Sequence, residues 1–264
     1  MGPMTSLPLG LATDLAVLEH TGSTIEDRGD HLVVRSADNP TFHWGNCLYV
    51  TDPDVVDDAH RWVETFEEAF PAATWVAIGL ARMPENEAVW IEHGLELELD
   101  DVLSTGALPR LTELADGYVV RELAGHDWER LAARAISEND ETSEFEATSH
   151  ERFVRARTQA QRELSEHGAA AFFGAFSDAE LVAELGVVRC GTTARYQSVG
   201  TDTRHRRRGL ASHLLGVAAR WAGDQGCNRW VIVTEAENPA GRVYRSVGFE
   251  LDEANAQAYR PPPR

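Results

Sequence analysis

Residues 201–215, TDTRHRRRGLASHLL, constrain this chain more than any other stretch. Four arginines (Arg204, Arg206, Arg207, Arg208) and His205 crowd together in an otherwise acidic protein of net charge −19. A β-prone run, Tyr196-Gln197-Ser198-Val199, precedes them. Leu210, Leu214, Leu215, Ala218 and Ala219 follow at helical spacing. A basic turn therefore joins a strand to the N-terminus of a helix. Backbone N–H groups converge there, and the helix dipole adds to the arginine charges, so the turn is a ready seat for an anion. Gly209 and Ala211 are small enough to let phosphate oxygens approach the backbone.

A second stretch, EAENPAGRVYRSVGFE at 235–250, lies one helix and one strand further on. Together the two resemble the signatures of the GNAT superfamily of N-acetyltransferases. Arg206-Arg207-Arg208-Gly209-Leu210-Ala211 fits the R/Q-x-x-G-x-G/A pyrophosphate loop. Tyr244-x-x-x-Gly248-Phe249 fits the end of N-x-x-A-x-x-x-Y-x-x-x-G-F. The resemblance covers about residues 117–260 and implies an α/β (α+β) fold with a mixed central sheet flanked by helices. It also implies acetyl-CoA as acyl donor and transfer of its acetyl group to a primary amine. A nucleotide-binding P-loop is the weaker match, because the G-K-[ST] ending that a metal-bound triphosphate requires is missing.

The resemblance assigns roles residue by residue. The pyrophosphate falls on the backbone of Arg206, Arg207, Arg208, Gly209, Leu210 and Ala211. The pantetheine arm falls on backbone groups of Val199 and Thr201, where the family's strand splays from its neighbour. The Val199 amide is also placed to hold a developing oxyanion. Tyr244 stands where the family keeps its general acid. Asn238 is a cofactor contact by the motif, although Glu237 occupies the usual place and Asn238 serves equally as a helix N-cap. The general base is not evident. The family's carboxylate positions hold Arg195 and Ile232 here, which leaves Glu235 and the acidic residues 138–146 as alternatives.

The chain's two halves repeat one pattern. Residues 89–97 lie against 243–251, Trp75-Val76 against Trp230-Val231, and Arg61-Trp62 against Arg220-Trp221. We therefore expect a tandem pair of GNAT-like folds, residues 1–110 and 117–264, joined by a linker at 106–116. The copies differ where chemistry sits. The first has Pro53-Asp54-Val55-Val56-Asp57-Asp58 in place of the arginine turn, and Trp90 in place of Tyr244. Carboxylates at a helix start repel a pyrophosphate, so the first half is expected to be non-catalytic.

The periodicity predicts helices over 11–20, 55–70, 85–93, 128–136, 151–166, 210–224 and 238–246. Strands are expected over 31–35, 45–51, 73–80, 95–103, 118–122, 169–176, 181–189, 196–201 and 230–234, and from Phe249 onward. Residues 137–148, SENDETSEFEAT, read as an acidic loop with carboxylates Glu138, Asp140, Glu141, Glu144 and Glu146. In the family this segment lines the acceptor site, where carboxylates suit a cationic amine.

The large negative charge argues against nucleic acid or anionic membrane as partner. Three widely spaced cysteines (Cys47, Cys190, Cys227) make neither a disulfide framework nor a metal pattern and fit a reducing cytoplasm. The first twenty residues lack a basic n-region and an unbroken apolar run, so no signal peptide or membrane span is expected. The expected activity is acetyl transfer to a small cationic amine or a protein amino group, in a homodimer or a monomer with pseudo-dimeric halves. A non-catalytic acyl-CoA sensor or interaction scaffold is the other reading.

Overall fold

A computed structural model describes residues 7–142 and 145–262. Glu144, one of the five carboxylates expected in the acidic loop, lies outside the described residues. The chain divides into two units, one running to Val102 and including the end of the chain from Glu253, the other covering Leu103–Asp252. Among the described residues no helix is long and apolar enough to cross a membrane.

The first unit contains α1 (Leu9–His20), β1 (Thr24–Asp27), β2 (His31–Arg35), β3 (Asn46–Val50), α2 (Ala59–Ala69), β4 (Val76–Leu80) and α3 (Glu87–Glu92). It also takes most of β5 (Glu96–Thr105) and of the last strand, β11 (Glu250–Arg260). Its strands lie in the order β1-β2-β3-β4-β11-β5. Strands β3 and β4 are parallel and joined by α2, whereas β1–β2, β2–β3 and β4–β11 are antiparallel. Trp62, Val63 and Phe66 on α2 pack with Trp90, Ile78 and Leu48 into one core. β1 lies in a stretch whose short, charged Thr-Ile-Glu-Asp carries no period to read.

The second unit contains β6 (Val119–Glu122), α4 (Asp127–Thr142), α5 (Ala147–Glu166), β7 (Ala170–Ser177), β8 (Glu180–Cys190) and β9 (Thr193–Thr201). It continues with α6 (Leu210–Asp224), β10 (Arg229–Glu235) and α7 (Ala240–Ser246). Its strands run β10-β9-β8-β7-β6, and again only the pair joined by a helix, β9 with β10, is parallel. The order helix-β-β-β-helix-β-helix thus occurs once in each unit, as α1–α3 and as α5–α7. The second unit carries β6 and α4 in addition. Both are mixed α/β layers with a mostly antiparallel sheet flanked by helices. In the second unit Leu210, Leu214 and Leu215 of α6 meet Leu185, Val187 and Tyr196 of the sheet. The Tyr196 hydroxyl donates to the Leu215 carbonyl at 2.9 Å and pins helix to strand.

Three expectations change. The division falls ahead of residues 106–116 because that segment is docked on α6. A side chain on Gly216 would collide with the backbone of Arg110 and Leu111, and His213 Nδ1 donates to the Thr112 carbonyl at 2.6 Å. The end of the chain, expected within the 117–264 copy, belongs to the first unit, where Ala256–Arg260 pair with β4. Finally, the acidic loop is mostly helix. Glu138, Asp140 and Glu141 ride on the last turns of α4. Glu146 caps α5, accepting from the amides of Thr148 at 3.0 Å and Ser149 at 2.7 Å. Those two bonds hold its carboxyl down at about 2.

Buried Asn139 explains the extra helix. Its Oδ1 accepts from the Phe145 amide at 2.9 Å and its Nδ2 donates to the Phe145 carbonyl at 3.1 Å. One side chain thereby closes the corner between α4 and α5 with no apolar period to announce it. Asn139→Ala strips both bonds and should lower stability by about 1–3 kcal/mol. Urea unfolding checks this; an unchanged midpoint would show that the corner closes without it.

Candidate functional site

Two parallel strands that stop pairing frame the site. β9 and β10 are in register only at Thr193–Arg195 and Arg229–Val231. Yet β9 runs on to Thr201 and β10 to Glu235. Beyond Arg195 the edge of β9 that faces away from β8 has no strand partner among the described residues. A bulge lies in the same span. Across β8, Gly186 pairs with Gln197 and Glu184 with Gly200, so β9 spends one extra residue there. Ser198 takes it up with φ 52°, in the left-handed region that few non-glycine residues adopt. The alternation then shifts: Tyr196 and Val199 both face the α6 core, and Gly200 faces the other way.

The arginine turn follows directly. Asp202 caps a single 3-10 turn, Thr203–His205, by accepting from the Arg204 amide at 2.8 Å. Arg204 is spent on protein carboxylates, with Asp202 and Glu180 each 2.7 Å away. His205 Nδ1 lies 2.8 Å from the Tyr118 hydroxyl. Arg206 donates Nε to the Thr201 carbonyl at 3.2 Å, which folds the turn back on the strand. Arg207 and Arg208 are exposed and make no ion pair among the described residues.

Arg207 and Gly209 both have positive φ, 62° and 75°. Such alternation of hand turns successive amides toward one point, the geometry of an anion nest. Gly209 is the N-cap of α6 and offers no side chain to the first-turn amides. No acidic residue stands in that turn. A Cβ built on Gly209 would meet nothing within 4 Å, so the space before the helix is open. These features fit the pyrophosphate of acetyl-CoA. Val199 is half-buried, Leu210 is core, and Ala211 sits in the first turn.

The first unit closes the corresponding place with its own carboxylates. Asp58 caps α2 by accepting from the Arg61 amide at 3.2 Å. Asp57 holds Arg82 at 2.6 Å and accepts from the Glu85 amide at 2.6 Å. Trp90 is fully buried.

Tyr244 is on α7 and only 5% exposed. Burial pushes its phenol up to about 12, so it keeps its proton at neutral pH. Its hydroxyl makes no hydrogen bond among the described residues and is left to donate. Asn238 accepts from the Ala240 amide at 2.9 Å and gives Nδ2 to Glu235 Oε2 at 3.2 Å. Both ends of its amide are thus engaged inside the turn before α7, and Glu235 is exposed beside it.

The residue that sequence reasoning missed is Glu184. It sits mid-strand in β8, buried, with its carboxylate lying over Gly200, between Val199 and Thr201. Any side chain at Gly200 would run into that carboxylate and the Arg134 guanidinium. Arg134 Nη2 donates to Glu184 Oε1 at 2.6 Å. Desolvation outweighs the arginines and lifts the carboxyl to about 7. One charged residue inside the apolar run Leu181–Val188 was the available signal.

Residues 131–249 match the family described as acetyltransferase (GNAT) family. No curated protein is similar enough to count as a relative. Among solved structures, a GCN5-related N-acetyltransferase from Kribbella flavida is similar at 18% identity and a TM-score of 0.65, covering 97% of this chain and 98% of that one. A GCN5-related N-acetyltransferase from Sphaerobacter thermophilus is similar at 19% identity and a TM-score of 0.60, covering 90% and 84%. A tandem GNAT protein from the clavulanic acid biosynthesis pathway is similar at 14% identity and a TM-score of 0.55, covering 98% and 90%. At such identities the likeness is one of fold.

Gly209→Glu puts a negative side chain into the open space before α6. Calorimetry with acetyl-CoA should show a single site per chain that the variant loses. Wild-type binding by the folded variant would place the pyrophosphate elsewhere.

Proposed function

We propose that this chain, which carries a GNAT-family acetyltransferase domain across residues 131–249, moves an acetyl group from acetyl-CoA to a primary amine bound in the same complex. The observation that carries the reading is the parting of β9 from β10 directly before an uncapped, arginine-rich helix start. We read the first unit as a degenerate copy of the same fold, because its helix start is sealed by Asp58 and its Tyr244 counterpart is Trp90.

Acetyl-CoA, when bound, supplies the acyl group: the amine nitrogen bonds to the acetyl carbon, the carbon–sulfur bond breaks, and the thiol is released. Each proton needs an owner. Glu184 takes the one shed by the amine, since its carboxyl near 7 is poised to accept at neutral pH. Tyr244 gives the one the sulfur needs. The Val199 amide, next to the Gly200 that pairs with Glu184, is the donor assigned to an oxygen that gains charge. Glu184 thus takes the place of the base that neither Arg195 nor Ile232 provides, and Glu235 is not required.

Tyr244→Phe should lower kcat by roughly 10²–10⁴-fold with acetyl-CoA affinity unchanged, read from thiol release beside calorimetry. A full-rate variant would remove Tyr244 from the mechanism. Below pH about 7 Glu184 is protonated and cannot accept, so kcat/KM should fall as pH drops through that value and level off above it. Glu184→Gln should lose this limb along with most of the rate; an identical profile would assign the limb to the amine. Acetyl-CoA binding without thiol release from any amine would leave a sensor in place of an enzyme.

A further inference from the structure

Three buried polar atoms on one face of the second unit have no partner: Glu184 Oε2, Arg134 Nη1 and Arg157 Nε. They form a single cluster. Arg134 of α4 holds the other oxygen of Glu184 at 2.6 Å. Arg157 of α5 stacks its guanidinium 4.8 Å from the centre of the Phe153 ring and lies close enough to Glu184 for each to feel the other's charge. Beside them Gln161 Nε2 donates to the Ser198 hydroxyl at 3.0 Å, which ties α5 to the bulge of β9.

Such a cluster is costly to keep. Each orphaned buried atom forfeits its hydrogen bonds to water, and apolar residues of the same volume would pack there more cheaply. A ligand that supplies the missing partners would offset that cost. The orphans state what that ligand must carry. Arg134 Nη1 and Arg157 Nε are donors and want an anionic oxygen. Glu184 Oε2 is an acceptor and wants an N–H. Charge points the same way, for two guanidinium groups face one buried carboxylate. Glu138, 3.5 Å from Arg134 Nε, adds a second carboxylate only from the exposed side. Arg157 therefore feels the carboxylate at a distance but makes no ion pair with it among the described residues.

We propose that this cluster is the acceptor subsite and that the acceptor is a small amino carboxylate, its carboxylate held by Arg157 and Arg134 and its amine by Glu184. The proposal rests on the acetyl-transfer reading for the word acceptor, and it narrows the amine from a simple cation to a zwitterion. It follows from placement as well as charge, since Glu184 lies over Gly200, beside the Val199 and Thr201 that the acetyl-transfer reading gives to the donor. A lysine side chain on a protein surface brings no carboxylate next to its amine and leaves Arg157 as it is.

The test is calorimetry on the full chain, without acetyl-CoA, against α-, β- and γ-amino carboxylates, each beside the amine that lacks the carboxylate. At least one amino carboxylate should bind, and its decarboxylated counterpart should bind by roughly 30-fold or more less tightly. Arg157→Gln should lose the same margin and Arg157→Lys should recover part of it, with melting curves showing that both fold. Equal binding of acid and amine, no binding of either, or wild-type affinity in Arg157→Gln would each overturn the proposal. Thiol release separates it from the reading beneath it. Turnover of the plain amines as fast as the amino carboxylates overturns the subsite and leaves acetyl transfer standing. Amino-carboxylate binding with no thiol release counts against acetyl transfer and supports the subsite.

Discussion

The site depends on hydrogen bonds that two strands do not make. A parallel pair normally stays in register along its length, because every unpaired backbone group in an interior costs free energy. Here β9 and β10 hold each other for three residues and then part. The extra residue at Ser198 bends β9 away, and Tyr196, bonded to Leu215, keeps the strand's near end on α6. What results is a wedge whose wall carries backbone amides and whose floor is apolar core. Everything polar in the site is arranged around that wedge: the arginine turn past its end, Tyr244 on the helix after β10, and Glu184 over the bulged strand.

The two units show how little separates a binding helix start from a sealed one. Both place a helix between parallel strands, with a short 3-10 turn before it. In the first unit the carboxylate of Asp58 accepts from the Arg61 amide and brings its negative charge to the helix start. In the second unit Gly209 offers no side chain, Arg207 and Gly209 both take positive φ, and the start of α6 has neither a side-chain cap nor an acidic residue in its first turn. A sealed cap stabilises its own helix at once. An open one leaves that stabilisation to be supplied by an anion, which is how a fold element becomes a binding element.

The sequence made the arginine turn and the tyrosine motif legible because their parts are local, whereas the parting of β9 came only from the family resemblance. Arginines before a glycine, apolar residues at helical spacing behind it, and a tyrosine four residues before Gly248-Phe249 are all short-range patterns, and the structure brings them to one unit. What escaped depends on partners that no periodic pattern announces, one of them six residues away and the others far along the chain. Residues 137–142 look like a loop, since nothing apolar recurs there; they are helical because Asn139 reaches Phe145 and α4 extends to meet it. Residues 106–116 look like a linker because they lack a period, yet Gly216 makes a slot for their backbone. Glu184 looks like one polar residue in a strand. Its meaning comes from Arg134 and Arg157, on two helices that precede it, and from Gly200, which leaves room for the carboxylate.

Charge is where reading by composition and reading by structure part most clearly. A protein of net charge −19 attracts cations over distances of about 10 Å at moderate salt, and that alone suggests a cationic acceptor. The exposed carboxylates responsible are screened, however, and Asp140 and Glu141 at the end of α4 point to solvent. The buried charges are fewer and stronger, because low dielectric magnifies them, and in the Arg134–Glu184–Arg157 cluster they lean positive. A zwitterion reconciles the two scales. It carries no net charge for the acidic surface to repel, and it splits into opposite ends only where the cluster can hold each one. The exterior then governs solubility, and selection rests with the cluster at the wedge.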